Sequence, residues 1–318
     1  NLDLSEGTWM SLDVSPDGKF ISFDLLNDIY VMPASGGKAV AIHQGSVAQR
    51  SPQFSADGQF LTYLSDESGA DNVWVSRVDG SEARQITQES HAMIAGPAWA
   101  ADGKSIAAVK TYSDIFRVRN SEIHLYNLDG TSDEIIVSPP QSGKDVQEPR
   151  FSPDGRYLYY TERIGGDHYV YMNTGLKNFA INKLDLETGK KRRAISGGAS
   201  TPQVSPDGNS VAFIRRLGAK TVLFVKDLET GYEQPIYDEL GRDLHGDYLP
   251  QEHYYPSFDW FPDNRTIAIW AKGKIVRIDT HSASAEEIPF SLTSRHELQP
   301  AIRVKQDLAP EQVTIRTL

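Results

Sequence analysis

The 318-residue chain contains no cysteine. That excludes disulfides, thiolate metal sites and a cysteine nucleophile. It has no run of 18 apolar residues, so no transmembrane helix and no membrane insertion are expected. Basic residues are outnumbered by acidic ones, 32 against 43, for a net charge of -11. A nucleic-acid partner is therefore not expected, because phosphate binding needs a basic surface. Catalytic signatures are missing too. There is no Gly-x-Ser-x-Gly elbow, no His-Glu-x-x-His helix and no His-x-His pair. Asp102-Gly103-Lys104-Ser105 matches only the end of a phosphate loop. It lacks the upstream glycine and falls on a β-hairpin. No motif calls for a metal or cofactor, and none is expected.

What the chain does have is repetition. Ser15-Pro16-Asp17-Gly18 comes back as Ser55-Ala56-Asp57-Gly58, Ala101-Asp102-Gly103, Ser152-Pro153-Asp154-Gly155, Ser205-Pro206-Asp207-Gly208 and Phe261-Pro262-Asp263-Asn264. The aspartates stand 40, 45, 52, 53 and 56 residues apart, the span of one four-stranded propeller blade. Each copy is a turn with a mechanism. Proline presets φ, Asp bonds to nearby backbone, and Gly or Asn accepts the positive φ that closes a hairpin. Read singly, the aspartates look like catalytic acids. Their recurrence in every unit makes them turn residues.

The flanks agree. Three residues before each Asp stand Val14, Phe54, Trp99, Phe151, Val204 and Trp260, and the aromatic ones are expected in the core between blades. Four and six residues after it stand aliphatic and mostly large apolar residues, from Ile21 and Phe23 to Ile267 and Ile269. This period of two is that of a strand with one buried face. A third strand and a second turn follow in each unit, then a short fourth strand. Four strands repeated six times predict an all-β fold, a six-bladed β-propeller of four-stranded antiparallel blades, with little helix.

The propeller is expected over residues 1–288, with 289–318 a C-terminal tail or the start of a following domain. The first strand of each blade should line the central channel. How the ring closes is left open: blade six packs on blade one, or the tail adds an outer strand. Two insertions interrupt the pattern. Arg163 to Asn178 lies within blade four and is rich in tyrosine. Tyr237 to Tyr254 lies between blades five and six and holds His245, Asp247 and His253.

The cores Pro52-Gln53-Phe54-Ser55-Ala56-Asp57-Gly58 and Glu148-Pro149-Arg150-Phe151-Ser152-Pro153-Asp154-Gly155 resemble the repeats of TolB-like propellers. The resemblance covers about residues 8–288 and is specific for fold rather than function. Such propellers occur in the Tol–Pal system and ahead of the catalytic domains of prolyl oligopeptidase-like and tricorn-like peptidases. They also occur at the N-terminus of exported bacterial amidohydrolases. The stretch from Glu6 to Gly18, continued through Asp24 to Tyr30, most resembles that last group. The resemblance implies an exported, periplasmic protein. A first residue Asn1 in place of Met fits signal-peptide cleavage or trimming.

The expected role is a non-catalytic, protein-interaction or substrate-gating module, the N-terminal part or a relative of an exported hydrolase. Its partner would be another protein or an adjacent catalytic domain. Interaction candidates are Tyr169 and Tyr171 in the first insertion, and His245, Asp247 and His253 in the second. The histidines and Asp247 could converge with Asp259 at a channel mouth, or simply be solvated on a mobile loop. The alternative is a hydrolase or lactonase with its site in the channel. The inner strands offer it Asp13, Gln53, Arg150, Gln203 and Asp259, and a cluster of shifted carboxylates near the axis would favour it.

Overall fold

The computed structural model describes residues 1–113, 119–139, 145–165, 178–245 and 253–295. Every regular element among them is a β-strand. Six four-stranded antiparallel sheets follow one another along the chain, and the first strands of successive blades pack side by side in a closed cycle. Blade one, for example, runs Leu12–Val14, Phe20–Leu25, Asp28–Pro33 and Val40–His43 from the axis outward.

The repeated turns behave as their chemistry requires. In blades one, two, four and five the serine hydroxyl donates to the aspartate Oδ1, as in Ser55 to Asp57 at 2.6 Å. The same oxygen accepts the backbone N–H two residues on, as from Gln59 at 3.0 Å. These bonds hold the carboxylates in their charged form. Asp17, bonded to Lys19 and Ser15, falls to about 2. At three junctions the turn glycine also faces a proline of the neighbouring turn. A Cβ on Gly18, at φ +71°, would lie 2.9 Å from Pro262 Cγ of blade six, and one on Gly58 would lie 3.4 Å from Pro16 Cδ. The prolines thus seat the next blade's glycine around one face of the ring.

Burial of the second strands goes beyond the one-faced pattern. Residues four and six after each Asp are buried as expected, but so are those at plus five: Ser22, Thr62, Ala107, Tyr159, Ala212 and Ala268. A blade is covered on both faces by its neighbours, so both faces must be dry. Five of these six residues are small, which lets the neighbouring sheet approach. Small size hides them from a hydrophobicity pattern.

The ring closes through both chain ends. Phe290–Ser294, in the stretch assigned to the tail, pairs antiparallel with Leu2–Leu4 and parallel with Gly37–Lys38. Phe290 packs on Phe23 of blade one at 5.2 Å, and Leu292 is buried beside it. One continuous apolar cluster then joins blades five, six and one across the seam. The closing strand is supplied by sequence outside the repeat, which is why the repeat pattern does not reveal it.

All the turns between first and second strands, and between third and fourth, are short and lie on one face. The connections on the opposite face vary more in length. The repeat therefore builds a plain face and a variable one.

Gly18 and Gly103 share a positive φ, but a Cβ on Gly103 would meet nothing within 4 Å. Gly103→Ala should lower stability by about 1 kcal/mol, from backbone strain alone. Gly18→Ala should lose about 1–3 kcal/mol more, because Pro262 must move. Equal midpoints for the two variants in urea unfolding would contradict the proline–glycine seating.

Candidate functional site

The axis of the ring is lined at the position four residues before each turn aspartate: Asp13, Gln53, Ala98, Arg150, Gln203 and Asp259. An inner strand has one edge without a ladder partner, so its N–H groups need other acceptors. The side chains at this position supply them. Asp13 Oδ2 accepts Phe54 N–H at 2.7 Å, Gln53 Oε1 accepts Trp99 N–H at 2.9 Å, and Asp259 Oδ2 accepts Val14 N–H at 3.4 Å. Trp99 and Trp260 donate their indole N–H back to the carbonyls of Gln53 and Gln203. The aromatic residues beside the turns therefore serve blade-to-blade packing, as expected.

A second tier lies two residues further up each inner strand. Ser51, Glu148 and Thr201 all have φ near +55°, as does Gly96, and each marks a break in register between first and second strands. Such β-bulges re-aim the local side chain and N–H. Glu148, only 1 % exposed, gathers four donors: Thr161 Oγ1 at 2.6 Å, Thr201 N at 2.7 Å, Thr201 Oγ1 at 2.8 Å and Tyr254 N at 2.7 Å. Asp24 plays the matching part between blades one and two, accepting Ser11 N and Ser51 N, each at 2.8 Å.

The second insertion is pinned across this end of the channel. Asp243 is fully buried and bound by Arg216 Nε at 3.0 Å and Thr221 Oγ1 at 2.7 Å. His245 bonds with Ser200 Oγ at 2.6 Å and stacks on Phe179. His253 bonds with Ser51 Oγ at 3.3 Å, and its ring lies against Gly96. Both imidazoles are buried rather than solvated. Desolvation lowers His245 to about 4 and His253 to about 3, so both are neutral at pH 7. They are not brought together with Asp259. His253 instead lies near Arg150. Asp247, Tyr169 and Tyr171 fall outside the described residues.

Charges do converge on the axis. Burial and the facing Asp259 charge push Asp13 well up, and burial lifts Asp259 to about 6. The two carboxyls interact with each other, each disfavouring a second charge beside it, while the nearby Arg150 favours their ionised forms. Shifted carboxylates near the axis are what a channel enzyme would show. Yet both are committed to the backbone of the next blade. No group of three potential metal ligands occurs among the described residues.

Above the plug, on the variable face, an open cavity of ≈ 1220 Å³ spans blades six, one and two. Trp9 and Trp270 form its aromatic wall, with ring centroids 6.0 Å apart. Arg50 and Lys272 bring positive charge, Glu6 and Asp24 negative, and His253 reaches the floor. Trp9 has φ 60°, uncommon for a bulky residue and held here by packing on Tyr255 and Trp270. Nothing in the repeat signals this cavity, because its lining combines strand ends with connections that differ between blades. Glu148 and Asp24 were equally hard to see. A bulge and a strand end, not a motif, place them.

Comparison with known proteins agrees with this architecture. Residues 5–174 match the family model described as the TolB beta propeller domain. An uncharacterized protein of Agrobacterium fabrum is 28% identical over 153 residues, 46% of this chain and 52% of that protein. Tricorn protease homolog 1 of Streptomyces coelicolor is 30% identical over 155 residues, 48% of this chain and 14% of that protein. The chain thus spans about half or less of the length of these curated relatives. The crystal structure of TolB from Acinetobacter baumannii superposes with a TM-score of 0.64 at 18% identity, covering 88% of this chain and 63% of that one. That likeness is one of fold.

The buried groups give opposite pH signatures. His253 is depressed from 6.5, so its neutral form stabilises the fold above pH 6.5 and that contribution fades as pH falls toward 3. Asp259 is raised from 3.8 to about 6, so its contribution is present below pH 3.8 and lost as pH rises through 6. His253→Gln should narrow the wild-type loss of stability between pH 7 and 4 by about 2 kcal/mol. Asp259→Asn, which keeps an acceptor for Val14, should gain stability relative to wild type as pH rises from 4 to 8. Thermal unfolding across that range reads both, and parallel pH profiles for the three proteins would refute the assignment.

Proposed function

The chain belongs to the TolB β-propeller family, and from that premise we propose that it is a non-catalytic recognition module of an exported, periplasmic protein, with its ligand seated on the variable face. The observation that carries this reading is the ≈ 1220 Å³ cavity on the variable face, lined by strand ends of blades six, one and two and by the connections beside them. A rigid scaffold with variable loops gathered at one face is the usual arrangement for a binding surface. Only one set of connections among the described residues varies widely in length.

The cavity's chemistry favours a peptide. Tryptophan faces offer apolar contact, while Arg50, paired with Asp71, and Lys272, paired with Glu239, bring positive charge and Glu6 brings negative charge, suited to a zwitterionic chain. Relatives named as a tricorn protease homolog and a peptidase support the same class. In a longer protein the module would hold or screen peptides for a neighbouring hydrolase domain. The channel beneath does not offer a ready passage, because the His253–Tyr254 segment is tied across it to Ser51 and Glu148.

A second reading rests on the Asp13–Asp259 pair, whose raised pKa values would suit acid–base chemistry at the axis. Against it, both carboxylates serve as acceptors for neighbouring inner strands.

Titration with a panel of unmodified tripeptides, followed by tryptophan fluorescence, separates the two. Saturable quenching that Trp9→Ala reduces by roughly tenfold in affinity, with the peptides recovered intact, is the expected result. Cleavage of any peptide that Asp259→Asn abolishes would replace the module with the channel enzyme.

A further inference from the structure

The plain face also holds a cleft, and it sits where the repeat breaks its own rule. At three junctions a proline ring lies under the next blade's glycine position: Pro262 at Gly18, Pro16 at Gly58 and Pro153 at Gly208. Between blades three and four Ala101 stands in for proline, and its Cβ still lies 3.3 Å from where a Cβ on Gly155 would be. Between blades two and three the residue is Ala56, and the Gly103 position has nothing within 4 Å. A cavity of ≈ 420 Å³ opens there, with Ala56 and Gly103 both in its lining. That volume falls within the range of ligand sites.

Its walls are apolar. Phe60, Trp99, Val75 and Leu128 line it, and Phe60 and Leu128 are only partly buried. Arg84 closes one end by donating to Leu128 O at 2.6 Å across the two blades. The rim carries Asp57 and Asp102. Each uses Oδ1 within its own turn, and neither has a recorded partner at Oδ2.

We infer that this cleft between blades two and three docks a proline-bearing, basic segment of a protein partner. The molecule itself fills the equivalent seat with a prolyl ring at three other junctions. The basic neighbour follows from the two outward carboxylate oxygens on the rim and a chain of net charge -11. The site is on the face opposite the cavity assigned to peptide recognition, so it stands or falls separately.

The test is a titration of isotope-labelled protein with acetyl-Gly-Lys-Pro-Gly-amide, followed by amide and indole resonances. Saturable shifts of the Gly103 amide and the Trp99 indole N–H are expected. Versions with Glu for Lys, or Ala for Pro, should bind more weakly. Ala56→Pro supplies the missing ring in cis. It should fold, since four sibling turns carry proline at that position, should raise the melting temperature, and should weaken the peptide by more than roughly tenfold. Asp102→Asn keeps the turn acceptor and removes one rim charge. It should weaken the Lys-Pro peptide about threefold and leave the Glu-Pro peptide unaffected. Absence of shifts at millimolar peptide, equal binding of the Glu-Pro peptide, or undiminished binding by Ala56→Pro would each overturn the inference.

Discussion

The inner edge of each blade has backbone donors that its own sheet cannot satisfy. A barrel solves that problem by closing its hydrogen-bond ladder. A propeller cannot, because its inner strands stand side by side around an axis. Here, at most junctions, the answer is a side chain. Asp13, Gln53 and Asp259 take up N–H groups of the next blade in one tier, and Asp24 and Glu148 do so in another. The blades are therefore joined by polar bonds near the axis and by apolar packing further out.

That solution puts charge where water is scarce, and the titration behaviour follows from it. Asp13 and Asp259 serve neighbouring junctions of one tier, so they meet, and burial together with their mutual repulsion raises the pKa of Asp13 while burial raises that of Asp259. Glu148 is buried without a comparable carboxylate neighbour. Its pKa is still raised by burial, although four donors pull the other way. Perturbed carboxylates at an axis thus have a structural origin in this fold. They are weak evidence for catalysis unless a group free to meet substrate stands beside them.

The repeat made the architecture readable. Blade number, strand order and the turn role of Asp17, Asp57, Asp154 and Asp207 follow from spacing and turn chemistry. The site was not readable in the same way. His245 and His253 drew notice as ionisable residues in an odd loop, but their burial depends on Ser200, Phe179 and Ser51, which lie at least 45 residues away in sequence. Glu148 sat inside a recognised motif with no hint of its role, because a bulge turns it toward the next blade. The closing strand Phe290–Ser294 lies past the last turn, where periodicity carries no information.

Departures from the repeat say more about function than the repeat does. Where every blade agrees, the residue is answering a demand of geometry, as the turn aspartates do. Where one blade differs, that demand has been relaxed or met elsewhere. Ala98 takes no part in the inner tier, and Gly96 replaces the polar residue of the upper one, so blade three contributes little to the polar linkage at the axis. His253 lies against Gly96, where a larger residue would crowd its ring. The weakest link of the axial network is thus the place where the inserted segment enters. His253 both occupies that gap and reaches the floor of the cavity above it, which ties the axial network to the variable face.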